Sequence, residues 1–312
     1  MTYGPSKALP MSKSTKWFLI ILGILALVAL GFVLLFISLL GNNTESTEMI
    51  VTGSGDKIAV VDLKGVISSS EDVNRQIKKY RENRSIKAIL LHIDSPGGGV
   101  VASQEMYEEV RKTRDEGKPV VISMGSLAAS GGYYVACGGS RLVANRGTLT
   151  ASIGVISEFL QLQDALTKLG IDVKTIKSGR LKDAGSPVRK MNNDDERYFQ
   201  GLMDDVHRQF IAVVERERKM SHEAVMAVAD GRVFTGEQAV SMGLVDTLGT
   251  YEDAVMIAAQ LGGIRGEPAI VKERRRQSWL PSILGDMGET MKDLKQEILE
   301  RPVLSYRFAG PY

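Results

Sequence analysis

Hydrophobic positions along the chain fall into three regimes. From Trp17 to Leu40 the sequence WFLIILGILALVALGFVLLFISLL carries no charge, and only Gly23, Gly31 and Ser38 stand outside the apolar set. A helix of this length, at ~1.5 Å per residue, spans about 36 Å and can cross a ~30 Å hydrocarbon core with some tilt. Residues 41–56 (GNNTESTEMIVTGSGD) then turn polar and predict a linker. From residue 57 short apolar runs alternate with helical periodicity. Ile58–Leu63 (IAVVDL), Ile86–Ile93 (IKAILLHI) and Pro119–Met124 (PVVISM) predict buried strands. Val73, Ile77 and Tyr80, then Met106 and Val110, mark the inward faces of helices between them. Further strands are predicted over Ile153–Glu158 and Val173–Lys177, and a long helix from about residue 193 to 219. A turn over Gly236–Asp246 and a helix over Tyr251–Leu261 complete the pattern. Repeated β-then-α units imply parallel strands covered by helices, an α/β domain over residues 57–265.

The flanks of the apolar segment suggest its orientation. Lys7, Lys13 and Lys16 precede it, and Glu45 and Glu48 follow it. The positive-inside bias places residues 1–16 in the cytoplasm and everything after residue 40 outside. The apolar core is longer than a signal peptide's, and Leu39-Leu40-Gly41 offers no small-x-small cleavage site. The segment is therefore expected to stay as a signal anchor in the lipid bilayer of the cell membrane. The final residues, 266–312, differ in character. They hold the basic cluster KERRR (Lys272–Arg276), read as a solvated surface segment, an amphipathic stretch over Ile283–Leu299, and the tail PVLSYRFAGPY. That tail is a candidate occupant of a substrate groove, a self-inhibitory segment.

Composition narrows the chemistry. The 312 residues carry a net charge of +2, which argues against a strongly basic nucleic-acid binder, and the single cysteine, Cys137, excludes an intrachain disulfide. Gly53-Ser54-Gly55 precedes a strand and lacks a third glycine, so it is not a dinucleotide fingerprint. No HExxH and no paired His/Cys spacing offers a metal site. The three histidines are poorly placed for a Ser-His-Asp site. His92 lies inside a predicted strand, and His207 and His222 lie in charged helical surroundings and read as surface residues. Serine chemistry here points to another base.

Two segments supply a nucleophile and an oxyanion site. In MGSLAASGGYY (Met124–Tyr134) a strand ends in a small-residue turn, and Ser130 stands before Gly131-Gly132 and a predicted helix. A nucleophile belongs at such a place, beside free backbone N–H groups. The competing reading is Ser130 as a plain helix N-cap. In SPGGG (Ser95–Gly99) consecutive glycines after a buried strand can aim N–H groups at a developing negative charge. The base candidate is Lys182 in KSGRLKDAGSP (Lys177–Pro187). A lysine amine with a pKa of ~10.4 is rarely neutral at pH 7, so this role requires desolvation, with Asp183 pointing away.

MGSLAASGGYY, DSPGGG, LTASIGV and SGRLKDAGSP, in this order, resemble the signal peptide peptidase A family, membrane-anchored serine proteases of the ClpP/crotonase fold. The resemblance spans roughly residues 57–262. It implies a fold of ββα units, Ser130 as nucleophile, Lys182 as general base, and Gly98 and Gly131 as oxyanion donors. It also implies that Ser152 orients the lysine. No metal or organic cofactor is implied. The chain is similar to the short, single-module form, which implies a ring of identical subunits with serine and lysine from adjacent protomers. Ser130 and Lys182 are then expected to lie too far apart to hydrogen-bond within one chain. The implied substrates are apolar signal-peptide remnants. A crotonase-type enzyme acting on CoA thioesters and a non-catalytic membrane scaffold of the same fold are the alternatives.

Overall fold

The computed structural model describes residues 13–40, 47–274 and 305–308. The chain divides into two units, Met1–Ser46 and Thr47–Tyr312. In the first, α1 (Lys13–Leu40) is a single helix whose stretch Trp17–Leu35 has a mean hydropathy of 3.2 and no buried surface. A helix apolar on every side, with nothing of its own packed against it, is long and apolar enough to cross a membrane.

The second unit begins with β1 (Thr47–Thr52), β2 (Lys57–Lys64), α2 (Glu71–Glu82), β3 (Ile86–Ser95) and β4 (Gly97–Gly99). Next come α3 (Val100–Asp115), β5 (Val120–Ala129), α4 (Gly131–Ala136), β6 (Arg141–Ala144) and β7 (Leu149–Ala151). They are followed by α5 (Gln163–Lys168), α6 (Asn193–Arg218), α7 (His222–Met226), β8 (Val233–Thr235) and α8 (Gly236–Ser241). The last elements are β9 (Thr247–Leu248), α9 (Tyr251–Leu261), β10 (Ala269–Arg274) and β11 (Ser305–Arg307).

The main sheet runs β1-β10-β2-β3-β5-β6-β9, parallel throughout except at the β1–β10 edge. Both faces are covered, which is why its strands read as unbroken apolar runs rather than alternating ones. Ala59, Val61, Ile89, Leu91 and Ile122 join the larger core beneath α2, α3, α4 and α6. Ile58, Val60, Leu90 and Val121 point the other way and pack on Ala254 and Ala258 of α9. The long helix α6 is set by a capping box in which Asn192 accepts from Asp194 and Asp195, and Asp195 returns a bond to Asn192.

Several expectations change. The linker expected over residues 41–56 contains β1, which pairs antiparallel with β10, and β10 lies beyond the boundary expected at residue 265. Sheet pairing with a distant partner gives no local signal, and so both strands were invisible to periodicity. Part of KERRR belongs to β10: Lys272 pairs with Asp62 at 2.5 Å and Glu273 with Arg75 at 2.9 Å. Ile153–Glu158 contributes only a bridge from Ile156 to Ser305, and Val173–Lys177 forms no strand. Ile176 is 90% exposed, so the apolar run there has no sheet to join. The amphipathic stretch over 283–299 lies outside the described residues.

Candidate active site

Ser130 is delivered by a strand that changes partners. Over Val121–Met124, β5 pairs with β6; over Leu127–Ala129 it pairs with β7. Between these stretches, Gly125 lies against the Asp94 carboxylate, which a Cβ there would meet at 3.1 Å. The strand ends at Ala129 and the chain turns at once into α4. At the corner Ser130 adopts φ 53°, ψ −115°, a region that costs a non-glycine residue about 1–3 kcal/mol. Its N–H donates to the Ala151 carbonyl at 2.7 Å, and its carbonyl accepts from Tyr134 at 2.8 Å. The hydroxyl makes no capping bond to α4, so the N-cap reading fails. A serine held in a strained strand-to-helix turn, not used as a cap, has the geometry of a nucleophile elbow.

The same strain recurs next door. Ala151 and Ser152 have φ of 64° and 54°. Ser152 Oγ donates to the Gly231 carbonyl at 3.0 Å, and its N–H bonds Arg232 at 3.0 Å. With its proton committed to a carbonyl, the Ser152 oxygen can only accept from a further group. Ser130 and Ser152 line one cleft of about 460 Å³ together with His207, Asp204, Arg307 and Phe308.

The glycine loop has become a strand. Gly97 O and Gly99 N–H bond Ile67 at 2.9 and 2.8 Å, so the N–H and C=O of Gly98 face the opposite edge. A Cβ on Gly97 would lie 2.5 Å from Gly131 N, which puts the two glycine segments against each other. Gly98 and Gly131 are thus brought together beside Ser130, as two oxyanion donors require. A Cβ on Gly98 would meet the Ile67 carbonyl at 2.1 Å and its nitrogen at 2.6 Å. Gly98→Ala should destabilise the fold by about 3 kcal/mol, because backbone must move to admit the methyl. The urea midpoint measures this. Gly201→Ala, in α6 with nothing within 4 Å, is the control and should leave the midpoint unchanged or raised.

Lys182 is not in the cleft. It is exposed, in a segment from residue 169 to 192 with no helix or strand. Asp183 points away from it. Its carboxylate accepts from Arg189 at 2.9 Å and Lys177 at 2.5 Å, and these cations, Arg189 foremost, hold it far below the usual carboxylate range. Leu160, Leu169 and Ile176 expose 69%, 73% and 90% of their surface along the same arm.

The histidines divide. His92 is half-buried in β3, its Nδ1 3.3 Å from Ser123 Oγ, and burial lowers its pKa. His222 sits at the surface against Glu215. His207, expected at the surface, lines the cleft instead, with Nε2 buried and without a partner. Its place between Val206 and Phe210 on the inward stripe of α6 was the available signal.

Comparison with known proteins agrees with this geometry. The family model described as Peptidase family S49 matches residues 112–265, the stretch that holds Ser130, Ser152 and Lys182. A Synechocystis protein, slr0021, is 43% identical over 215 residues, 68% of this chain and 77% of its own length. The chain belongs to peptidase family S49. This S49 peptidase is also 31% identical to Protease 4 of Salmonella typhi over 81% of its length, and 33% identical to the chloroplastic serine protease SPPA of Arabidopsis thaliana over 77%. It spans only 43% and 38% of those two longer proteins. The S49 peptidase has the expected mixed α/β fold, with a predominantly parallel sheet and one N-terminal apolar helix.

Proposed function

We propose that this S49 peptidase is a membrane-anchored serine endopeptidase with a Ser-Lys dyad, acting on apolar signal-peptide remnants at the outer face of the cell membrane. One observation carries the reading. Ser130 sits strained in a cleft with Ser152, while Lys182 lies outside that cleft on an arm with exposed apolar side chains. A second copy covering the arm would bury those side chains and bring its own Lys182 to the Ser130 cleft. Burial against a neighbour would supply the desolvation a lysine base needs.

In the assembled site the lysine amine takes the proton of Ser130 Oγ as that oxygen attacks the peptide carbonyl. The Ser152 oxygen accepts a bond from the amine and aims its lone pair. Negative charge forms on the carbonyl oxygen between the N–H groups of Gly98 and Gly131. The C–N bond breaks, the amine leaves with the proton, and water releases the acyl group from Ser130. Helix α1 would hold this cleft where apolar remnants collect.

The test is incubation of the full-length protein, in detergent micelles, with a synthetic signal peptide, followed by mass spectrometry. Internal cuts within the apolar core are expected. An intact peptide, with Ser130 unlabelled by a fluorophosphonate, would falsify the serine-peptidase reading.

A further inference from the structure

The glycine strand β4 has a second partner. Ser305–Arg307 of the C-terminal tail pairs with it antiparallel, Ser305 opposite Gly99, Tyr306 opposite Gly98 and Arg307 opposite Gly97. Ser305 gives its own N–H and C=O to Ile156, at 3.1 and 3.0 Å, and Phe308 N–H bonds Pro96 O at 2.8 Å. The tail is thus a strand inserted between two edges of the groove, and Tyr306 must turn its peptide groups to Gly98. The Tyr306 carbonyl faces the Gly98 N–H, and its oxygen would lie 3.1 Å from a Cβ on Gly131. Those are the two oxyanion donors, so Tyr306 lies where the residue before a cut bond belongs.

Its side chain fills a closed pocket. Tyr306 is fully buried, stacked on Tyr134 with ring centroids 5.2 Å apart, and tilted against Phe210 at 4.8 Å. The hydroxyl donates to the Val206 carbonyl at 3.1 Å. Such a pocket offers aromatic walls and, at its floor, an acceptor that only a tyrosine can reach.

Resting on Ser130 as the nucleophile, we infer that this pocket selects tyrosine on the N-terminal side of the cut bond, and that Tyr306 occupies it as a built-in competitor of substrate. Main-chain pairing on β4 gives affinity and the pocket gives choice, the division of labour in strand addition. An attached tail competes at an effective concentration in the millimolar range. Cutting after Tyr306 would leave the tyrosine as a new terminus still able to fill the pocket.

The experiment uses full-length enzyme in micelles and peptides that differ only in having Tyr, Phe or Ala before the cut. Tyrosine should exceed phenylalanine about tenfold in kcat/KM, the worth of one hydrogen bond, and alanine by more than about 100-fold. Tyr306→Ala should lower KM about tenfold with kcat unchanged, by releasing the competitor. Tyr306→Phe keeps the ring, controls for folding, and should lower KM by less. Fluorescence anisotropy of labelled PVLSYRFAGPY supplies a readout free of catalysis: it should bind the Ser130→Ala, Tyr306→Ala double variant more tightly than Ser130→Ala alone. Flat preference and an unmoved KM, in an enzyme that still depends on Ser130, overturn the pocket and leave the peptidase standing. Activity that survives Ser130→Ala overturns the peptidase reading instead. If no peptide is cut, failure of the labelled tail to bind overturns the inference by itself.

Discussion

Replacing Ser130 with alanine should cut peptide hydrolysis at least about 1,000-fold while the protein stays folded. The size follows from the role: without Oγ no acyl-enzyme forms, and only binding and the oxyanion donors remain to act on water. The folded state should survive because the hydroxyl caps nothing in α4. The backbone bonds from Ser130 to Ala151 and Tyr134 also do not depend on the side chain. The measurement is the initial rate on a fluorogenic peptide, with circular dichroism as the check on folding. A loss of helical signal in step with activity would instead assign Ser130 to structure.

The second large effect is restoration. Lys182→Ala alone should be as inactive as Ser130→Ala alone, yet the two variants, mixed during assembly, should recover activity. A site that takes its serine from one copy and its lysine from the next is complete whenever Lys182→Ala supplies the serine and Ser130→Ala the lysine. Random mixing gives about a quarter of sites in that state. A site completed within one chain gives no recovery at any mixing ratio. The same experiment separates Lys182 from His207, which shares the cleft with Ser130. If the imidazole were the base, Lys182→Ala would already be active before any mixing.

What could be read from the residues follows the range of the interactions involved. The strands β2, β3 and β5 were legible because burial on both faces makes their apolar runs continuous. Helix α6 was legible because its periodicity is long and its start is capped by neighbours in sequence. The far end of β5 was missed, since Gly125 and Ser126 look like punctuation while the strand merely exchanges one partner for another. Strand β4 was read as a loop because its partners, Ile67 and Tyr306, lie far away in the chain. Val173 and Ile176 misled in the opposite sense, being apolar without a sheet to join. Ser130, Ser152, Gly98 and Gly131 do converge on one place, because short turns after adjacent strands of a parallel sheet open at the same end. Lys182 does not join them, and no local pattern says which copy of a chain a residue will serve.

An enzyme that reads extended peptides by pairing with them must keep a strand edge unpaired, and unpaired edges are where chains aggregate. In this fold the exposed edge is three glycines long, offers no side chains, and is covered by the chain's own Ser305–Arg307. The strap therefore serves colloidal stability as well as catalysis. At the high local concentration of a membrane surface, it keeps idle neighbours from docking on one another as though each were a substrate.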